Sequence, residues 1–85
     1  MDLVYKTTSH PPRFAVVVSS KIDKRATHRN RMKRLVREAV RRQLPSIENG
    51  VDGVLIVRRR IPDSEQEVEG IMTELLKKAE LLNTE

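Results

Sequence analysis

The distribution of apolar and polar positions along the chain predicts three strands. The run FAVVV at residues 14–18 is almost wholly apolar and rich in β-branched side chains, which indicates a strand covered on both faces or placed centrally in a sheet. The run VLIV at residues 54–57 predicts a second strand of the same kind. Residues 3–6 predict a further short strand, which the polar and Pro-rich turn at residues 7–12 separates from the first run.

An amphipathic helix is predicted between the two apolar runs. Its apolar side repeats at about 100° per residue, and the helix ends at Leu44 because the residue before Pro45 is pushed out of helical geometry. The positions on that side are Met32, Leu35, Val36, Ala39, Val40 and one polar residue, Gln43.

A second amphipathic helix is predicted after Pro62. Ser64 and Glu67 have the spacing of a capping box, in which side chains satisfy free backbone N–H groups at the start of a helix. Gly50 and Gly53 are expected to be turn residues in the loop before the third strand. The apolar stripe of this helix consists of Val68, Ile71, Met72, Leu75, Ala79 and Leu82.

The predicted order of elements is strand, strand, helix, strand, helix. An 85-residue chain is long enough for one modest core, so we expect a single domain spanning residues 1–85. Two helices packed on a small sheet make an α+β two-layer sandwich. If the strands that flank the first helix are parallel, the general handedness rule predicts a right-handed crossover.

Composition and charge favour a polyanionic partner. Lys and Arg number 17 against 12 Asp and Glu, which gives a formal net charge of +5. The absence of cysteine excludes disulfides and thiolate metal sites, and with no signal peptide or transmembrane stretch evident we expect a cytoplasmic protein. Tyr5 and Phe14 are the only aromatic residues, so binding to RNA would depend on phosphate and sugar contacts more than on base stacking.

The first predicted helix carries a basic face opposite its apolar side. Like charges at these spacings repel one another and destabilise a helix. Glu38 is the main acidic residue among them, so most of the repulsion is not balanced within the helix, which indicates an anionic partner. A merely solvated face is the alternative, but Arg dominates here and its planar group matches phosphate geometry. The face consists of Asn30, Lys33, Arg34, Arg37 and Arg41, flanked by Arg29 and Arg31.

The residues around this helix resemble the bacterial ribonuclease P protein. The similarity lies in residues 14–21, in Lys24 and in residues 26–39, with the Arg-Asn-Arg core at 29–31 as its most specific part. Residues 52–58 and 75–79 extend the resemblance over nearly the whole chain. It implies a fold like that of a ribosomal-protein domain, with a left-handed strand-helix-strand crossover where the general rule gives a right-handed one.

The resemblance also implies a function and a set of contacts. The chain would be the protein subunit that helps the catalytic RNA of ribonuclease P to remove the 5′ leader from precursor tRNA, acting as a monomer in that complex. The protein would supply no catalytic residue, metal ligand or cofactor, and Mg²⁺ would act with the RNA. The candidate RNA contacts are Lys21, Lys24, Arg25, Arg29, Asn30, Arg31, Lys33, Arg34, Arg37 and Arg41, with His28, Arg58 and Arg60 as weaker candidates.

The front of the chain departs from this family. Its members usually begin with a basic helix and an additional strand that help to form a cleft for the leader, and no counterpart precedes residue 3. We therefore expect Leu3, Tyr5 and Phe14 to leave an exposed apolar patch. A natural short form, a fragment and a relative with another RNA target all fit this pattern.

Other functions remain as alternatives. The main one is a general RNA- or DNA-binding module of the same fold without ribonuclease P activity. An enzyme of phosphate transfer is disfavoured because no Gly-rich phosphate loop is present, and membrane binding is disfavoured because the apolar side of the helix lacks Trp or Phe anchors. His28 is expected to be a packed or capping residue, with contact to phosphate as the alternative.

Overall fold

The computed structural model describes residues 1–47 and 50–81. It contains the predicted elements in the predicted order. They are strand β1 (Asp2–Thr7), strand β2 (Arg13–Val18), helix α1 (Ala26–Gln43) with a short 3-10 turn (Leu44–Ser46), strand β3 (Val51–Val57) and helix α2 (Glu65–Lys78).

The three strands form one sheet in the order β1-β3-β2. β1 pairs with β3 in antiparallel orientation and β2 pairs with it in parallel, so that Val16 lies opposite Leu55. The prediction that residues 14–18 are central or covered on both faces is therefore wrong, because β3 takes the central position. β2 lies at an edge, and Val17 on its uncovered face is 47% exposed.

The core lies between one face of the sheet and the two helices. Alternate residues of β3 are buried, as the two-residue period of a strand requires. Facing them are the apolar sides of the helices, which form the second layer of the sandwich. The buried residues include Val16, Val18, Val51, Leu55 and Val57 from the sheet, Met32, Val36, Ala39 and Val40 from α1, and Val68, Met72 and Leu76 from α2.

Gly53 is part of β3 and not a turn residue, which corrects the prediction. The strand begins three residues earlier than its apolar run because Val51 already pairs with Thr7 of β1. A Cβ atom on Gly53 would lie 2.6 Å from the ring of Phe14, so this position in the central strand requires glycine. Gly50 does precede the strand, and its amide oxygen accepts a 2.9 Å bond from the N–H of Thr8.

The apolar stripe of α2 is rotated slightly from the predicted one. Val68 and Met72 are buried as expected, but Ile71 is 36% exposed, so its assignment to the stripe is wrong. Leu76 is fully buried in its place, because it continues the i, i+4 row of Val68 and Met72. Leu82, the last predicted stripe position, lies outside the described residues.

The apolar patch predicted from Leu3, Tyr5 and Phe14 at the front of the chain is present only in part. Tyr5 is 42% exposed, and its hydroxyl donates to the carbonyl of Ala79, whereas Leu3 and Phe14 are half-buried and pack against the core. The uncovered face of the sheet instead exposes Val4 and Val17. Neighbouring residues of a strand point to opposite faces of the sheet. Leu3, Tyr5 and Phe14 therefore face the helices, whereas Val4 and Val17 face away from them.

Candidate nucleic-acid interface

The α1 basic face, defined as Asn30, Lys33, Arg34, Arg37 and Arg41, lies on the side of the helix away from the core. All of these side chains except that of the half-buried Lys33 are exposed. Within residues 1–47 and 50–81, the only ion pair on this face joins Arg41 to Glu38 at 3.6 Å. Lys33, Arg34 and Arg37 therefore present adjacent positive charges that no described carboxylate neutralises.

The segment before α1 is a compact loop. The N–H of Ile22 donates to the carbonyl of Ser19 at 3.1 Å, and the N–H of Lys21 donates to the Ser19 hydroxyl at 3.2 Å. The N–H of Arg25 donates to the carboxylate of Asp23 at 2.9 Å. These turns place the exposed side chains of Lys21 and Lys24 beside the start of the helix.

Asp23 gathers three cationic or ionisable side chains, and we call the group Asp23, Arg25, His28 and Arg60 the Asp23 cluster. Its carboxylate lies 3.2 Å from Nε of Arg25, 2.9 Å from Nδ1 of His28 and 3.2 Å from a terminal nitrogen of Arg60. The backbone and side-chain bonds from Arg25 hold the pKa of Asp23 far below its ordinary value of 3.8, and the bond from His28 acts in the same direction. The carboxylate is thus ionised throughout the neutral range.

Arg29 occupies a different position from the other candidate contacts. Its Nη1 donates to the carbonyl oxygens of Asp23 and Lys24, both at 2.9 Å. The side chain is half-buried and closes the loop onto the first turn of α1. Arg29 thus lies in the predicted region, but part of its guanidinium is engaged within the chain.

The remaining candidate contacts are also paired within the chain. Nε of Arg31 donates to Asp63 at 2.8 Å, with both side chains more than 60% exposed. Arg58 pairs with Asp2 near the sheet. Exposed pairs of this kind are weak, so a phosphate could replace either carboxylate.

Sequence reasoning missed the two carboxylates that organise this surface, Asp23 and Asp63. One available signal was the position of Asp23, three residues before the first helical residue, where Asp commonly bonds the N–H two residues further on. The pairing of Asp63 with Arg31 depends on packing of the segment after β3 against α1, which no local pattern reveals. His28 was predicted to pack or cap, and its ring does contact the loop that precedes the helix.

Two other kinds of feature are absent from the described part of the chain. It contains no group of three or more His, Cys, Asp or Glu residues that could hold a metal ion. Neither of its helices is long and apolar enough to cross a membrane.

Comparison with known proteins identifies the family. The model of the family described as Ribonuclease P matches residues 2–80. The chain belongs to the ribonuclease P protein family.

Among curated relatives, the ribonuclease P protein component of Xanthomonas oryzae is 44% identical over 50 residues, which are 59% of this chain and 34% of the relative. That of Synechocystis is 47% identical over 45 residues, 53% of this chain and 36% of the relative. The matched region thus spans about a third of these relatives.

Solved ribonuclease P proteins share the fold. The protein from Thermotoga maritima, in complex with 1-(4-fluorophenyl)-2-thiourea, matches with a TM-score of 0.76 and 31% identity over 89% of this chain and 76% of its own. The protein from Staphylococcus aureus matches with a TM-score of 0.75 and 26% identity over 95% of this chain and 77% of its own. If the connection from β2 through α1 to β3 had the opposite hand from that in these solved proteins, α1 would lie on the other face of the sheet. This chain could then not superpose on them in this way. The fold implied by the resemblance is confirmed.

Proposed function

We propose that this chain binds the RNA component of ribonuclease P and assists it in removing the 5′ leader from precursor tRNA. The observation that carries the proposal is the α1 basic face, where Lys33, Arg34 and Arg37 have no ion-pair partner among the described residues. Membership of the ribonuclease P family supports the same conclusion.

Phosphate neutralisation is the physical basis of the proposed binding. From Asn30 to Arg41 the face extends over about 16 Å of helix, at about 1.5 Å per residue. Cations along this length can contact several phosphates of a folded RNA and release their condensed counterions. Asn30 adds a neutral hydrogen-bonding group at the end of the face that lies nearest the loop.

The proposed contacts fall into four groups by their geometry. Lys21, Lys24, Asn30, Lys33, Arg34, Arg37 and Arg41 contact RNA directly. Arg25, His28 and Arg60 act from the Asp23 cluster, and Arg31 and Arg58 exchange their carboxylate partners for phosphate. Arg29 shapes the loop and offers its remaining donors.

The chemistry of cleavage belongs to the RNA in this proposal. Mg²⁺ bound with the RNA would activate the attacking water, and the protein would reduce repulsion between the phosphates of the RNA and those of its substrate. The complex would contain one copy of the protein and act in the cytoplasm.

Contact with the 5′ leader would be made by the uncovered face of the sheet. That face carries Val4 and Val17, with Lys6 and Arg13 on the same side by strand parity. Both aromatic rings of the chain, Tyr5 and Phe14, point to the helical side. We therefore expect the leader to be held without base stacking, and more weakly than the catalytic RNA.

The test is cleavage of a precursor tRNA by a bacterial ribonuclease P RNA at low Mg²⁺ concentration. We expect the wild-type protein to stimulate cleavage and the double variant Arg34→Ala/Arg37→Ala to require at least about tenfold more protein, because two phosphate contacts are lost. The matched control is Lys77→Ala/Lys78→Ala, which removes the same charge from exposed positions at the end of α2.

Two outcomes would count against the proposal. Equal losses in the two double variants would show that net charge, and not the α1 basic face, determines binding. If the wild-type protein binds RNA with a steep salt dependence but gives no stimulation, the chain is a general nucleic-acid-binding module.

A further inference from the structure

An acidic side chain lies at the centre of the most cationic part of the chain. Asp23 is the one buried charged residue within residues 1–47 and 50–81, with a side chain only 3% exposed. A negative charge in this position should oppose binding to a polyanion. However, Asp23 also orders the side chains around it, and this ordering should favour binding.

The cluster joins two separate segments of the chain. Arg25 and His28 belong to the start of α1, whereas Arg60 follows β3. All three contact the same carboxylate within 3.2 Å. Without that carboxylate, the three side chains would have no common partner among the described residues, and the two segments would lose this connection.

Much of each side chain around Asp23 remains accessible. The side chains of Arg25 and Arg60 remain 62% and 64% exposed, and that of His28 is 44% exposed. A guanidinium has five N–H donors, and Asp23 engages two nitrogens of Arg25 and one of Arg60. His28 faces Asp23 through Nδ1, which leaves Nε2 available.

We infer that Asp23 is a positioning residue that strengthens RNA binding, although it carries the same charge as RNA. It holds Arg25, His28 and Arg60 as one preorganised patch that extends the α1 basic face toward the segment after β3. The ligand of this patch is the phosphate backbone of a folded RNA. The inference rests on the proposed function, since it concerns the same RNA surface.

The inference predicts an effect of unusual sign. Removing an acidic charge from a nucleic-acid-binding protein normally increases its affinity. We expect Asp23→Asn instead to lower the affinity for a bacterial ribonuclease P RNA transcript about fivefold, because ordering of the three side chains is lost. The matched control is Asp52→Asn, which removes a carboxylate that pairs with Arg13 and lies outside the Asp23 cluster, and should raise the affinity slightly.

A second pair of variants separates positioning from a general loss of structure. Arg60→Gln and Arg59→Gln each remove one charge from adjacent exposed positions, but only Arg60 contacts Asp23. In the wild-type background we expect Arg60→Gln to weaken binding about threefold more than Arg59→Gln. In the Asp23→Asn background the difference should disappear, since Arg60 is no longer held.

The measurements are RNA affinity and its salt dependence at a temperature where circular dichroism shows every variant to be folded. If Asp23→Asn is unfolded at every temperature tested, the comparison of Arg60→Gln with Arg59→Gln decides the inference. Tighter binding by Asp23→Asn, or equal losses in the two Arg variants, would overturn it. Failure of the wild-type protein to bind the transcript would instead overturn the proposed function.

Discussion

The two helices begin under opposite electrostatic conditions. α2 follows the usual rules, because the Ser64 hydroxyl accepts from the N–H of Glu67, acids occupy its first turn and Lys77 and Lys78 occupy its last. The N-cap residue of α1, Arg25, makes no side-chain cap, and the first turn of the helix has no acid. The carboxylate of Asp23 in the preceding loop supplies the negative charge that this terminus otherwise lacks.

The difference separates a helix suited to folding from one suited to binding. Repulsion along the α1 basic face lowers the stability of the helix, and packing of its buried side offsets this cost. α2 carries balanced charges, and its acids also bind α1 through Arg42, which lies 3.3 Å from Glu65 and 3.2 Å from Glu69. These carboxylates raise the pKa of the Arg42 guanidinium. Arg42 is thus committed to packing, while Arg34 and Arg37 remain available.

The largest expected effect tests the folding side of this comparison. Leu76→Ala in α2 removes a fully buried side chain and should destabilise the protein by about 2–5 kcal/mol, a large part of the stability of a small domain. Chemical denaturation measures the change. Ile71→Ala on the same helix is the control and should have an effect below about 1 kcal/mol because Ile71 is 36% exposed. Similar effects from the two substitutions would contradict the observed orientation of α2.

The orientation of α2 also shows which features the sequence patterns can predict and which they cannot. They predicted the element order, both helices and the helix ends near Pro45 and Ser64, because these depend on local signals such as proline geometry and capping. They misassigned Ile71 because an apolar residue beside a stripe looks the same whether it is buried or exposed. They also placed β2 centrally, since an apolar run does not reveal which strands become its neighbours.

The candidate site was predictable to a similar degree. The α1 basic face follows from helical spacing alone, and the structure places Asn30, Arg34, Arg37 and Arg41 on the exposed side as expected. The partners of Arg31 and Arg60 come from distant segments and could not be foreseen. The engagement of Arg29 by two loop carbonyls depends on the path of the backbone, which the sequence pattern did not show.

A pH experiment tests how the charge of Asp23 contributes to stability at the start of α1. The folded state lowers the pKa of Asp23 below its ordinary value of 3.8. The ionised carboxylate therefore stabilises the fold above pH 3.8. This contribution is lost as the pH falls toward the pKa of the folded state. We expect Asp23→Asn to be less stable than wild type at about pH 5, with a difference that narrows as the pH is lowered to about 2. Urea denaturation across this range measures it.

The control for that experiment is Asp52→Asn. Its carboxylate lies 3.1 Å from Arg13, whose side chain is 67% exposed, so solvent screens the pair and the substitution should change the stability little at any pH. A difference between Asp23→Asn and wild type that does not depend on pH would mean that the Asn side chain disturbs the loop by its shape and that charge has no part in the effect.

The smallest expected effect concerns the start of α2. Ser64→Ala removes the hydroxyl that accepts the N–H of Glu67, and loss of such a cap should lower the free energy of unfolding by about 1 kcal/mol. RNA affinity should stay unchanged, because Ser64 lies at the start of the helix that contributes to folding. Ser64→Asp is the matched variant, since Asp also caps and adds a favourable charge at the helix N-terminus, and it should retain the stability. If Ser64→Ala weakened RNA binding while leaving stability intact, α2 would take part in binding and the division between the two helices would fail.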